Sequence, residues 1–289
     1  MFQHVIVELG VNDDLKGFWK FIESCSDSLI SLKIENVRRF GELNLKFPNL
    51  EILRAYSIDE KSLLTLLKST EKLTELFISS GESSLDQIFI DNLIVCLKRN
   101  KNLVDLYLKN THFLRIFEEN LSVNFQLKSL KLLNTSARNE VSPELEKNLL
   151  HFIDEQKSRL ETFFFEFSSD QIVEKAFNLP AVASLGFLKV PSANLKKNFN
   201  IKSLEIPFDE DFASVRKIVD ASPNIERLFV ATVTNELIDF LSWNFMKLTS
   251  LNFKMISLDS EEYYEKLKQD HPEVNQLIDI WDYENVDWE

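Results

Sequence analysis

Glycine and proline are scarce in this chain, with five and seven among 289 residues. An all-β protein with many tight turns, a collagen-like chain and a low-complexity segment each need more of both, so helices must carry much of the structure. Cysteine is scarcer still. Cys25 and Cys96 lie in apolar, helix-like segments, far from both ends, where the disulfide caps of a secreted protein would be expected. That usage points to a reducing compartment, cytoplasmic or nuclear, and the sequons at Asn120 and Asn134 then read as chance matches. Long apolar runs are absent too: the stretch Leu93 to Leu97 falls far short of a membrane span, and no basic segment precedes an apolar one at the N-terminus. No membrane partner is expected.

Excess positive charge is also lacking. The net charge is −13, and residues Asp259 to Glu289 hold eleven acids against Lys266 and Lys268, a balance of −9 that leaves −4 for the rest. A nearly balanced body offers no basic groove for a phosphate backbone, so nucleic acid is not expected as a direct ligand. The acidic tail by itself reads as a solvated segment.

What the chain does have is repetition. The segment KNLVDLYLKN, Lys101 to Asn110, is echoed by DSLISLKIEN, Asp27 to Asn36. The pattern L-x-x-L-x-L, with any bulky apolar residue at each L, begins at Phe2, Leu29, Leu50, Leu73, Leu103, Leu127, Leu160, Val182, Ile201, Ile225 and Leu248. A period in the low twenties carrying a short alternating run is the signature of leucine-rich repeats. In each unit the fourth and sixth positions, such as Leu32 and Ile34 or Leu106 and Leu108, lie two apart, so a strand buries both and turns the residue between them to solvent.

Between these runs the period changes from 2 to about 3.6. Asp59 caps a helix with acids in its first turn, Ser142-Pro143-Glu144 opens another, and Ser168-Ser169-Asp170-Gln171 has capping-box spacing before Ile172 to Phe177. Further helices are expected at Gly17 to Ser26, Leu85 to Arg99, Glu210 to Asp220, Asn235 to Phe245 and Glu261 to Gln269. The expected fold is α/β: a right-handed leucine-rich-repeat solenoid, or horseshoe, with a concave parallel β-sheet, convex helices and about eleven repeats. It would span residues 1–258, with 259–289 as an acidic C-terminal cap or tail. The long intervals contain SSGESS, Ser79 to Ser84, and TSARNEVSPE, Thr135 to Glu144, which read as tolerated surface insertions before longer helices.

FPNLEIL (Phe47 to Leu53), IDEKSLLTLLKSTEKLTEL (Ile58 to Leu76) and ASPNIERL (Ala221 to Leu228) resemble the repeats of F-box/leucine-rich-repeat proteins and of the ribonuclease-inhibitor type. The proline, asparagine, aliphatic and acid just before the strand are the most telling match. The resemblance implies a binding module: the substrate-recognition part of an F-box-type ubiquitin ligase, met by an adaptor and cullin if an F-box stands upstream, or else a scaffold or enzyme inhibitor. The chain departs from the family where Cys or Asn often stands at the ninth position, which here holds Val37, Ile58, Gly81, Thr111 and other residues, and it contains no F-box.

Signals for catalysis are thin. There is no G-x-G-x-x-G, no G-x-x-x-x-G-K-[ST], no G-x-S-x-G and no cysteine pair at ligand spacing, so no catalytic residue, cofactor or metal site is assigned. His4, His112, His151 and His271 are scattered over different units. Asp209-Glu210-Asp211 stands before a helix, where carboxylates cap free N–H groups, and lacks the glycine and spaced oxygens of a calcium loop. Among the 24 phenylalanines, alternation sends Phe163, Phe165 and Phe167 into the core.

The remaining candidate is the exposed sheet row. Taking the residue between the two buried positions of successive units gives Lys33, Arg54, Phe77, Tyr107, Lys131 and Phe164, then Gly186, Glu205, Phe229 and Asn252, with Tyr56 and Lys109 flanking. Aromatic rings and arginine are what protein interfaces enrich. Lys33, Arg54, Tyr56, Phe77, Tyr107, Lys109, Lys131 and Phe164 are therefore the candidate protein-binding residues, suited to an acidic or phosphorylated segment. Phe2, Val5 and Val7 place a strand immediately after Met1, so either an upstream segment or a partner is expected to cover that edge. Leu277, Ile278, Ile280 and Trp281 offer apolar surface to cap the other end, the first reading of this segment, and Trp288 among acids offers the alternative of a tethered peptide that engages a basic partner.

Overall fold

Apolar residues two apart place the strands. The computed structural model describes residues 3–8, 15–36, 46–80, 85–118, 121–133, 141–187, 190–191, 195–206, 211–244, 247–256 and 278–280. Two units result, Met1–Leu160 and Glu161–Glu289. In the first, β1 (His4–Glu8), β2 (Ser31–Glu35), β3 (Ile52–Tyr56), β4 (Glu75–Ser79), β5 (Asp105–Lys109) and β6 (Ser129–Leu133) pair in chain order, every neighbour parallel. In the second, β7 (Thr162–Phe165), β8 (Ser184–Phe187), β9 (Ser203–Ile206), β10 (Arg227–Val233), β11 (Ser250–Ile256) and β12 (Ile278–Ile280) do the same. Each unit is thus an α/β assembly built on a parallel sheet.

Register follows the repeat. Leu32 pairs with Leu53, Leu53 with Leu76, Leu76 with Leu106 and Leu106 with Leu130, so the same motif position stacks strand after strand. All five leucines are at most 1% exposed. The strand entries repeat one hydrogen-bond pattern as well. A carbonyl of one unit accepts from two successive N–H groups of the next: Ile30 O from Glu51 and Ile52, Glu51 O from Thr74 and Glu75, Thr74 O from Val104 and Asp105. The second unit does likewise at Ala183 O and Lys202 O. Just upstream of the strands, Asn49 Nδ2 donates to Asp27 O at 2.8 Å, Asn200 Nδ2 to Pro180 O at 3.0 Å and Asn224 Nδ2 to Phe199 O at 2.8 Å. An asparagine at this position, preceded by proline at Asn49 and Asn224 and by Phe199 at Asn200, therefore ties consecutive repeats together.

The helices are α1 (Leu15–Cys25), α2 (Glu60–Lys68), α3 (Gln87–Arg99) and α4 (Pro143–Gln156) in the first unit. The second holds α5 (Asp170–Phe177), α6 (Phe212–Asp220) and α7 (Asn235–Asn244). The two long repeat intervals carry the two longest of these, 13 residues in α3 and 14 in α4. Caps explain the starts: Asp59 accepts from Ser62 N at 3.1 Å, Asp86 from Phe89 N at 2.7 Å and Ser142 from Leu145 N at 3.3 Å. At α5 the cap is Ser169, which accepts from Ile172 N at 3.1 Å, one residue beyond the Ser168 that capping-box spacing suggested. Asp211 caps α6 by accepting from Ser214 N at 2.8 Å, and that hydrogen bond holds its carboxyl below the ordinary range. For Asp211 this is the capping role read for the acidic triplet, while Asp209 and Glu210 lie outside the described residues.

Three features depart from or extend the expectation. The crossover from β5 to β6 contains a 3₁₀ helix, Thr111–Phe117, whose Phe113, Leu114, Ile116 and Phe117 are buried. No helical period announces so short a turn. β12 forms inside the acidic tail, with Ile278 opposite Leu251 and Ile280 opposite Phe253. Buried amides also appear away from the ninth position, at the ends of α3 and α4: Asn100 and Gln156 are each 1% exposed. The helix expected over Glu261 to Gln269, most of the two inserted loops, and Trp281 and Trp288 lie outside the described residues.

Asn100 shows what such an amide holds. Its Oδ1 accepts from Leu73 N at 2.8 Å, while its Nδ2 donates to Cys96 O at 2.8 Å. Replacing it with leucine of similar volume leaves the buried Leu73 N–H unpaired. Asn100→Leu is expected to lower the unfolding free energy by about 2 kcal/mol, read from urea denaturation, with helix content unchanged in the native baseline. An unaltered midpoint would show that water satisfies that N–H instead.

Candidate functional site

Alternation and parallel register together build a lattice on one face of the first unit's sheet. Residues between the two buried positions form its central row: Ile6, Lys33, Arg54, Phe77, Tyr107 and Lys131 are successive Cα partners from β1 to β6. Two residues earlier on each strand runs a second row, Ser31, Ile52, Glu75, Asp105 and Ser129. Two residues later runs a third, Glu35, Tyr56, Ser79, Lys109 and Leu133. With strands about 4.8 Å apart, side chains in one row are within contact distance of each other.

Three rings use that distance. Phe77 and Tyr107 stack with centroids 3.9 Å apart and planes 11° from parallel, and Tyr56 lies against Phe77 at 4.3 Å and 32°. Lysines stand at both sides of this ladder: Lys33 Nζ is 5.3 Å from the Tyr56 ring centroid and Lys131 Nζ 6.0 Å from that of Tyr107. Both distances are in the range where a cation is attracted to an aromatic face. Arg54, under the Tyr56 end, is paired bidentately with Glu75, its Nε donating to Oε1 at 2.6 Å and its NH2 to Oε2 at 3.5 Å.

This geometry corrects the reading of the row as solvent-facing. Phe77 and Tyr107 are each only 8% exposed, because stacking against neighbours in the lattice covers their faces. Tyr56, Lys33, Arg54 and Lys131 are half-buried, and Lys109 is exposed. Nor is the strip uniformly basic: Glu75 and Asp105 sit side by side in the row at the N-terminal ends of the strands, whereas Lys109 lies in the row at their C-terminal ends. The face is therefore acidic at the strands' N-terminal ends, while the row at their C-terminal ends mixes Glu35 with Lys109, a distribution that single-row reading missed.

Phe164 stands on β7, in the second unit, and its surroundings explain a residue that looked like a gap. A Cβ built on its Cα partner Gly186 would lie 2.5 Å from Phe164 Cε1, so the ring of Phe164 rests directly on the glycine. Glu205 and Asn252 follow on β9 and β11, with Phe229 of β10 between them at 7% exposure. The second unit's row thus holds Phe164 half-buried and Phe229 nearly covered.

Elsewhere the titratable groups make ordinary local contacts. His151 Nε2 lies 3.5 Å from Glu155 Oε1 on exposed helix surface. Cys25 and Cys96 are both free thiols and buried, and burial pushes the Cys96 thiol up, away from the reactive thiolate. Among the described residues no three His, Cys, Asp or Glu side chains converge as a metal site would require. Among the same residues, no helix is long and apolar enough to cross a membrane. No family model matches the chain, and no curated protein does.

Proposed function

We propose that the chain is a leucine-rich-repeat horseshoe that binds a protein and performs no chemistry, using the sheet face of its first unit. The observation that carries this reading is the Tyr56, Phe77 and Tyr107 ladder with lysines at both sides. A pre-stacked aromatic platform loses little side-chain entropy on binding, and half-buried lysines beside it give direction to an anionic partner. The partner is an acidic or phosphorylated segment lying over the central row and toward Lys109, away from Glu75, Asp105 and Glu35. Lys33, Tyr56, Phe77, Tyr107, Lys109 and Lys131 form the contact surface, and Arg54 supports it through Glu75. The sharper form, the substrate receptor of an F-box-type ubiquitin ligase, rests on the sequence resemblance of Phe47 to Leu53, Ile58 to Leu76 and Ala221 to Leu228.

Charge reversal tests the surface without touching the core. Binding partners recovered by affinity purification are titrated against wild type and against Lys109→Glu with Lys131→Glu. The pair of substitutions is expected to weaken binding at least about tenfold at low salt, with the difference shrinking at high salt. Equal affinity would reject the basic edge of the ladder as the contact. Recovery of adaptor and cullin favours the receptor form, whereas one stoichiometric enzyme favours an inhibitor.

A further inference from the structure

We propose that the segment bound by the first unit is extended, crosses the strands, and carries two acidic or phosphorylated residues six positions apart, one on Lys33 and one on Lys131. The inference rests on the sheet face proposed above as the binding surface and adds the spacing its ligand must have. Lys33 stands on β2 and Lys131 on β6, in the same row and four strand steps apart. At about 4.8 Å a step, the two positions are about 19 Å apart. The side chains keep that separation: Lys33 Nζ lies 5.3 Å from the Tyr56 ring, the ring centroids follow at 4.3 and 3.9 Å, and Lys131 Nζ lies 6.0 Å from the Tyr107 ring. The stacked rings fill the interval and hold the two ammoniums apart.

Charge and shape select what lies between. Phe77 and Tyr107 seal each other's faces and are nearly covered, so what they offer outward is ring edge, the electropositive part of an aromatic ring. Backbone carbonyl oxygens of a chain lying across them match that edge. Acids flank the row on both sides: Glu75 and Asp105 two residues earlier on β4 and β5, Glu35 two residues later on β2. Successive rows are about 6.8 Å apart, so a helix about 10–12 Å across would bring its own acidic side chains over those carboxylates. An extended chain is narrower and stays on the row. At about 3.1–3.4 Å a residue it covers the interval in six residues, and in a strand or a polyproline helix alike residues i and i+6 point the same way. Lys109, in the next row on β5, adds positive charge beside the Lys131 end.

Stiff synthetic peptides serve as rulers. Three fluorescent probes carry a phosphoserine at each end of a run of two, five or eleven prolines, which sets the phosphates about 9, 19 and 37 Å apart. Anisotropy titration of the full chain at low salt is expected to show the five-proline probe binding at least about tenfold tighter than either other, because it alone engages both lysines at once. Lys33→Met and Lys131→Met keep the apolar stem and remove the charge. Either is expected to erase the advantage, so that all three probes bind alike, whereas Lys61→Met on the exposed side of α2 should preserve it. A five-proline probe that binds no tighter than the others, or whose advantage survives both substitutions, overturns the proposal. If the three bind equally and Phe77→Ala with Tyr107→Ala releases them all, the spacing is wrong while the sheet face stands as the recognition surface. If none binds, the spacing is wrong as well, and the face is judged by the recovered partner and its charge-reversed variants.

Discussion

Phe165→Ala is expected to remove about 3–5 kcal/mol of stability from the second unit, enough to unfold that unit near physiological temperature if it is of ordinary stability. The reason is the density of rings around this side chain. Phe165 is 1% exposed, and its centroid lies 4.9 Å from Phe163, 5.2 Å from Phe167 and 6.3 Å from Phe187. Four phenylalanines from adjacent strands and the following turn cannot collapse into the space one ring vacates, so a cavity persists. Thermal melting with a probe in each unit checks this: the second unit's transition should fall by many degrees. Phe165→Leu, which keeps most of the volume, is expected to recover more than half of the loss.

The largest functional effect is expected from Phe77→Ala with Tyr107→Ala. Loss of the stack should weaken partner binding by about 2 kcal/mol or more, roughly thirtyfold. Because both rings are nearly covered, the double variant is also expected to lose about 2 kcal/mol of stability, which the exposed row envisaged from sequence would not have cost. Two comparisons separate these effects. Tyr107→Phe retains the stack, and Glu205→Ala with Asn252→Ala alters the second unit's sheet; both should bind as wild type does. If the ring-deleted protein, shown folded by near-ultraviolet circular dichroism, binds equally well, the sheet face of the first unit is not the recognition surface. Attention then moves to the exposed helix surface around Ile88 and Val95 of α3.

The strands were legible because their rule is local. Leu53 and Ala55, or Leu106 and Leu108, are two apart whatever lies around them, and a buried face demands that spacing. Helix starts were nearly as plain, since Asp59, Ser142 and Asp211 satisfy N–H groups only three residues away. The slip from Ser168 to Ser169 at α5 reflects two adjacent serines, either of which can cap. The 3₁₀ helix at Thr111–Phe117 was invisible because little more than two turns is too short to display a period.

Sequence alone determined the repeat length, the strand positions and the identity of the residues in the central row, because each depends on contacts within one unit of some two dozen residues. Tertiary structure decided what that row is. Whether Phe77 is exposed depends on Tyr56 and Tyr107, which lie 21 and 30 positions away along the chain but one strand away in the sheet. Whether Arg54 is available depends on Glu75, one row displaced on the next strand, and whether Gly186 is a gap depends on the ring of Phe164. Lateral packing between repeats obeys no period that a single repeat can show, since each neighbour is chosen by the register of the sheet and not by distance along the chain.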